Sequence, residues 1–318
     1  MSETQPNYKV RFLVPYFGCW PSFFPAFLTS CERNPSFEWY ILTDLPRVPA
    51  PPNVSFIRIT LPELLTLAER RLRVPVKKSI YGLCDLRPAL GVVCEDLLRG
   101  VDFWGHCDLD VIWGRLDLFL SSGNLARYDI ISSRRGYIAG HCTIFRNHPQ
   151  INYLFASIPG FFADLARPEN THIDEIRMSS LLRRANGIRV FWHRQFVADE
   201  EQLVFMPYGW EWIEGRLFYC GKEYPYLHFF TLKKTLREID FTFDTHPSRF
   251  RITPRGFYSN TSPGFLDRAR IPPMFWLRRR LFWTLGVKIY RLGQRTKYVV
   301  FKKFLHRNDR DGGFVLRE

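Results

Sequence analysis

The hydrophobic positions of the first 120 residues follow two alternating rhythms. Residues 10–17 (VRFLVPYF), 38–44 (EWYILTD) and 54–60 (VSFIRIT) are short runs of β-branched and aromatic side chains bounded by Pro, Gly and Asn, which predict strands. Between and after them the apolar spacing changes to three and four. Residues 22–33 (SFFPAFLTSCER) predict a helix that tolerates Pro25 only in its first turn. Residues 61–72 (LPELLTLAERRL) predict an amphipathic helix with Pro62 near its start. Residues 85–100 (DLRPALGVVCEDLLRG) place Leu86, Leu90, Val93, Leu97 and Leu98 on one side of a third helix that ends on Gly100. A further strand, VDFWGHCDLD, then runs into two aspartates. Strands alternating with helices predict an α/β sheet covered on both faces.

Farther along, YDIISS, GHCTIFRN and IRVFW read as strands, and PQINYLFASI and DEIRMSSLLRRA as helices. From about residue 205 to 265 the chain is rich in aromatics, Gly and Pro, and no period emerges. After Ile271 come two prolines and a basic, aromatic tail. No internal repeat is present. The boundaries expected are one α/β domain over 8–265 and a basic helical extension over 266–318.

Composition narrows the classes. A hydrophobic fraction of 46% with 16% aromatics, over 318 residues, predicts a packed globule with a sizeable core. No apolar run reaches the roughly 18–20 residues of a membrane-spanning helix, and the N-terminus lacks a signal-peptide pattern, so a cytosolic chain is expected. Seven cysteines without a C-x-x-C pair predict buried free thiols rather than a disulfide framework or a structural zinc site. The net charge of +14 resides mainly between Arg268 and Asn308, where twelve Lys or Arg stand without an acid. The rest of the chain is nearly balanced.

The chemistry concentrates at FWGHCDLDVIWG, where Asp108 and Asp110 stand one residue apart in an apolar run. Burying either carboxylate unpartnered costs several kcal/mol. At the C-terminal end of a central strand, where open α/β sheets bind ligands, two carboxylates can share Mn²⁺ or Mg²⁺, hard cations that complete their shell with phosphate oxygens. A second chemistry uses the same string: in haloacid-dehalogenase-like phosphatases the first Asp is a nucleophile and the second an acid/base. That fold opens with its motif and adds a later Lys and acid pair, whereas here 107 residues precede it. A third reading, a non-enzymatic membrane- or nucleic-acid-binding module, explains the basic tail but leaves the acid pair without a purpose. No Walker loop or G-x-G-x-x-G is present, and no nucleic-acid partner is expected.

Four motifs in order, VPYFGCWPSFFPAFLTSCERNPSFEWYILTD, LCDLRPALG, DFWGHCDLDVIWG and GHCTIFRN, resemble a family of bacterial polysaccharide-locus glycosyltransferases over roughly residues 8–235. The resemblance implies a GT-A-like nucleotide-binding sheet carrying a D-x-D signature, a nucleotide-sugar donor, and a glycan or lipid-linked acceptor in surface polysaccharide synthesis. The stretch from Cys84 to Asp110 is also similar in layout to DXD-type mannosyl- and glucosyltransferases. That layout implies that Asp85 binds donor-sugar hydroxyls, with Arg87 close enough to meet a phosphate. Pro15, Tyr16 and Phe17 would supply backbone and stacking to the base, although Tyr16 and Phe17 also read as core aromatics. Thr43 and Asp44 would meet ribose or base, or cap a turn.

The GT-A resemblance, in which a late His joins the metal, implies that His228, in YPYLHFFTLKK, is a candidate third ligand, with Lys233 and Lys234 within reach of a diphosphate; its alternative is a structural histidine in an aromatic strand. Asp174 and Glu175 are candidates for an acceptor-binding or general-base carboxylate, or simply favour a helix N-terminus. His141, at the start of the strand after the acid loop, is expected to face the donor cleft as a further catalytic candidate. Residues 271–307 interleave Phe, Trp and Leu with Arg and Lys, which predicts docking on an anionic membrane surface, at the inner face of the cytoplasmic membrane.

Overall fold

Alternation along the first strand sets the architecture. In Val10–Pro15 (β1), Val10, Phe12 and Val14 turn to one side of the sheet and join Phe24, Phe27 and Leu28 of helix Phe24–Glu32 (α1). Leu13 turns to the other side, where Leu64, Leu86 and Leu90 wait. The computed structural model describes residues 8–134, 136–192, 210–219, 221–230, 233, 236–253 and 256–259. The extension over 266–318, its membrane-docking stretch and Lys234 lie outside the described residues.

The strands Phe37–Thr43 (β2) and Val54–Arg58 (β3) lie parallel to β1 on one side, and Phe103–Cys107 (β4) lies parallel to it on the other. Past β4 the direction reverses. With β5 and β8 being Val111–Trp113 and Val190–Trp192, strand Cys142–Arg146 (β7) runs antiparallel to both β4 and Ile130–Ser132 (β6). The seven-stranded order is β3-β2-β1-β4-β7-β6-β8, a mixed α/β sheet with a parallel majority and a core on each face, as the sequence pattern predicts.

Helix Leu61–Leu72 (α2) has the predicted bounds, and its start explains why. Thr60 Oγ1 accepts from the Glu63 N–H at 3.3 Å while Glu63 Oε2 accepts from the Thr60 N–H at 2.7 Å, a reciprocal capping box that satisfies two orphan donors.

The long helix expected over 85–100 is instead three short pieces: a 3₁₀ helix Tyr81–Ala89, one α-turn Leu90–Val93 (α3) and a 3₁₀ turn Glu95–Leu98. Pro88 removes an amide donor and crowds the preceding turn. Gly91 lies so close to the Trp104 ring that a Cβ there would meet it at 2.6 Å, so the segment is shaped by packing rather than by its own period. DEIRMSSLLRRA likewise opens with a π-helical turn, Ile173–Arg177, before its α-turn Met178–Leu182.

The aperiodic region contains a second sheet. Strands Trp210–Ile213 (β9), Arg216–Tyr219 (β10), Lys222–Tyr224 (β11), Glu238–Ile239 (β13), Arg249–Ile252 (β14) and Gly256–Ser259 (β15) form it in the order β11-β10-β9-β14-β15-β13. Between β11 and β13, Tyr226–His228 (β12) leaves to pair antiparallel with β5, His228 opposite Val111. Trp212 ties the two layers by donating its indole N–H to the Trp113 carbonyl at 2.9 Å. Among the described residues, no helix is long and apolar enough to cross a membrane. Cys31, Cys94, Cys107 and Cys142 are buried and free, as expected, and Cys19 is exposed.

Candidate functional site

Because β1, β2 and β4 are parallel, their C-terminal ends share one edge of the sheet. Pro15 and Tyr16, Thr43 and Asp44, and Asp108 and Asp110 all lie along it, the edge at which open α/β sheets bind ligands. Asp108 follows β4 immediately, and its backbone N–H donates to the His141 carbonyl at 3.1 Å. Asp110 directly precedes β5, so the β5–β12 pairing brings His228 onto the same edge.

Asp108, Asp110 and His228 each offer a ligand atom within 4.8 Å of the others. His228 Nε2 lies 3.5 Å from Asp110 Oδ2 and 4.0 Å from Asp108 Oδ2. The imidazole is 5% exposed, and neither of its ring nitrogens makes a hydrogen bond. A buried donor left without a partner is costly, so an unsatisfied imidazole aimed at two carboxylates fits a divalent cation. Two carboxylates suit Mg²⁺ or Mn²⁺ alike, and the imidazole adds a nitrogen to this oxygen set.

Cations of the chain already face both acids. Arg87 pairs with Asp108 through Nη2 and with Asp174 through Nη1 at 3.0 Å. Lys233 Nζ lies 2.6 Å from Asp110 Oδ2 and 4.7 Å from the Phe230 ring centroid. These charges separate the two acids. Burial pushes Asp108 up, with Arg87 opposing and Asp110 adding to the rise. At Asp110 burial also pulls upward, but His228 and Lys233 outweigh it and hold the carboxyl well below its ordinary range. Asp174 is raised to about 7, by burial first, against the pull of Arg87 and with the push of Glu175.

Glu175 closes the group from the π-helical turn: its Oε1 accepts from the Gly140 N–H at 3.0 Å. A Cβ on Gly140 would meet Glu175 Oε1 at 2.8 Å, Arg87 Nη1 at 3.1 Å and Asp174 Oδ2 at 3.2 Å, so the acids and the arginine are gathered around bare backbone. His141 stacks on His228 with ring centroids 4.1 Å apart. Its Nε2 is 3.1 Å from the Tyr226 hydroxyl and 3.3 Å from Ser133 Oγ. Burial, with His228 next, pushes its pKa well down, so it is a neutral wall behind His228.

The structure therefore gathers Arg87, Asp108, Asp110, His141, Asp174, Glu175, His228 and Lys233. Tyr16 borders them: its hydroxyl donates to the Cys19 carbonyl at 3.0 Å, its ring stacks on Trp20, and burial, Cys19 and Asp110 raise its pKa. Phe17 is buried in the core beside α2 and α3. Thr43 is buried with Oγ1 accepting from the Leu45 N–H at 3.2 Å, and Asp44 is exposed beside it. Asp85 is fully buried and already engaged. Its Oδ2 accepts from Lys78 Nζ at 2.8 Å, the Thr171 N–H at 2.7 Å and Thr171 Oγ1 at 3.0 Å, and its Oδ1 from the Ile173 N–H at 2.9 Å. It thus anchors the segment that launches Asp174 and Glu175. Sequence reasoning missed Lys78, Ser133, Gly140 and Tyr226. The glycine of GHCTIFRN was the one available signal among them.

Comparison with known proteins assigns the chain to a family. No curated protein matches the sequence. Among solved structures, the galactosyltransferase LgtC in complex with donor and acceptor sugar analogues is similar at TM-score 0.32 and 11% identity, covering 57% of this chain and 72% of that one. The glycosyltransferase GlyE of Streptococcus pneumoniae TIGR4 is similar at TM-score 0.31 and 15% identity, covering 58% of this chain and 45% of that one. Residues 12–261, which contain the whole gathered cluster, match the family described as "Family of unknown function (DUF6625)", and the chain belongs to it.

Proposed function

We propose that this chain is a divalent-metal-dependent glycosyltransferase that moves a sugar from a nucleotide-sugar donor to a glycan or lipid-linked acceptor of a surface polysaccharide. The observation that carries the reading is the Asp108–Asp110–His228 group at the C-terminal edge of the sheet, with its unsatisfied buried imidazole. Asp108, Asp110 and His228 would hold Mn²⁺ or Mg²⁺. The bound ion would supply Lewis-acid neutralisation of the charge on a nucleoside diphosphate leaving group.

The remaining steps fall to the chain's own side chains. Tyr16, on the stacked Tyr16–Trp20 pair beside Pro15, offers an aromatic wall for the base, and Thr43 and Asp44 stand one strand farther along the same edge for ribose. Lys233 and Arg87 provide positive charge for the two phosphates. Glu175, fixed by the Gly140 amide, and Asp174, held by Arg87, are the carboxyl groups placed for the acceptor hydroxyl. Asp85 positions that pair through Thr171 and Ile173 rather than touching the donor. The basic segment 271–307 would bring the site to a membrane-borne acceptor, and sedimentation with anionic vesicles at low salt is the measurement for it.

Thermal unfolding with Mn²⁺ and UDP or GDP tests the core of the proposal, because a ligand that binds only the folded state raises Tm. The expected outcome is a rise in Tm that needs metal and nucleotide together and is lost in Asp110→Asn. An unchanged Mn²⁺–nucleotide affinity in that variant overturns the metal assignment.

A further inference from the structure

Lys233 and His228 converge on one oxygen. Asp110 Oδ2 is 2.6 Å from Lys233 Nζ and 3.5 Å from His228 Nε2, so the ammonium sits against the atom through which Asp110 faces His228. The two cations that compensate the acid pair are not equivalent. Arg87 is held at both ends, by Asp108 and Asp174, and its side chain is 16% exposed. Lys233 has a single ion-pair partner among the described residues, Asp110, and its side chain is 34% exposed. Its stem is flexible and its head a compact point charge, so it can swing while Arg87 stays.

We infer that Lys233 competes with the divalent cation for Asp110, so that the metal and a diphosphate bind this protein as a cooperative pair rather than independently. The inference rests on the proposed metal-and-diphosphate site and adds to it an order of occupancy. A metal ion arriving alone at Asp110 Oδ2 must displace the ammonium or share a carboxylate with it at close range, and both oppose binding. A diphosphate gives the displaced ammonium a new anionic partner within the same site. By linkage, each ligand then raises the affinity for the other by the same factor.

The experiment measures Mn²⁺ affinity by titration calorimetry, with and without inorganic pyrophosphate, each isotherm being referred to free Mn²⁺ after subtraction of the Mn²⁺ that pyrophosphate chelates in solution. Pyrophosphate is chosen so that the result does not depend on which base the site prefers. The full chain and Lys233→Met are compared, and Asp110→Asn marks which binding belongs to the site. In the unaltered protein, pyrophosphate should tighten Mn²⁺ binding about tenfold or more. In Lys233→Met, Mn²⁺ alone should bind about tenfold tighter than to the unaltered protein, and the gain from pyrophosphate should shrink by about the same factor, to what direct contact between metal and phosphate supplies.

A second readout needs no polyanion. Removing Lys233 leaves Asp110 with less compensation, so Mn²⁺ alone should raise Tm more in Lys233→Met than in the unaltered protein. Lys233→Gln serves if the methionine variant does not fold. Asp110-dependent Mn²⁺ binding that is no tighter in either Lys233 variant overturns the competition and leaves the metal site standing. Absence of any Asp110-dependent Mn²⁺ binding, with or without pyrophosphate, overturns the site and the competition together.

Discussion

Two lysine–aspartate pairs in this molecule are built from the same side chains at nearly the same distance and do opposite things. Lys78 and Asp85 meet at 2.8 Å with neither side chain exposed, and both are held further: Lys78 also donates to the Glu169 carbonyl at 2.7 Å, and Asp85 takes three further donors from Thr171 and Ile173. Lys233 and Asp110 meet at 2.6 Å, but the lysine is one-third exposed and an unsatisfied imidazole stands beside the carboxylate. The first pair is fully buried and closed. The second retains capacity for a ligand. A buried carboxylate is a binding candidate when its surroundings leave something unmet, and burial by itself does not distinguish the two.

The contrast breaks most sharply on stability. Lys78→Met leaves Asp85 buried and short of its main counter-ion, which should cost about 3–5 kcal/mol. Lys233→Met should cost less, about 1–3 kcal/mol, because the Lys233 side chain is one-third exposed and water can take its place beside the buried Asp110. Urea denaturation of the two variants checks this, and equal losses would show that both pairs are structural.

A pH series sharpens the comparison at the next carboxyl along. Asp174 is raised to about 7 in the folded chain, from an ordinary value near 3.8. Between those values the unfolded chain has released the proton and the folded chain still holds it. Stability therefore falls as pH rises through about 4 to 7, by at most about 1.4 kcal/mol per pH unit. Asp174→Asn removes this titration, so the variant should gain on the unaltered protein from pH 5 to pH 7 and then level off. A stability difference that stays constant across that range would refute the raised Asp174.

The smallest effect is expected at Gly140. An alanine Cβ would press on Glu175 and Arg87, whose ends can yield by a few tenths of an ångström, so Gly140→Ala should cost about 1 kcal/mol. The same change should weaken Mn²⁺–nucleotide binding several-fold by displacing Arg87 from Asp108. A variant with unchanged calorimetric affinity would place Gly140 outside the functional group.

The strands of the first sheet and α2 were legible because each announces itself locally: a β-branched and aromatic run in β1, amphipathic spacing and a proline in the first turn of α2. The acid pair was legible because two charges in an apolar run demand partners. Its partners were harder. His228 was readable as a candidate, yet nothing local says that β12 departs from the second sheet to lie against β5. The broken segment from Tyr81 to Leu98 keeps a helical apolar spacing, and only Pro88 and the tight fit of Gly91 on Trp104 show why it is not one helix. Asp85 matched a donor-binding layout by position, while Lys78, which occupies it, stands in a segment with no distinguishing pattern.

By itself the sequence determined the parallel-rich α/β start, the two-faced core and the place of Asp108 and Asp110 at a strand end, because periodicity, capping and the cost of buried charge act over a few residues. Tertiary structure alone decided which cation meets which acid. Lys233 reaches Asp110 across 123 positions of chain, and Thr171 reaches Asp85 across 86. Such pairings depend on strand register and on the competition among all buried donors, and no local pattern records them.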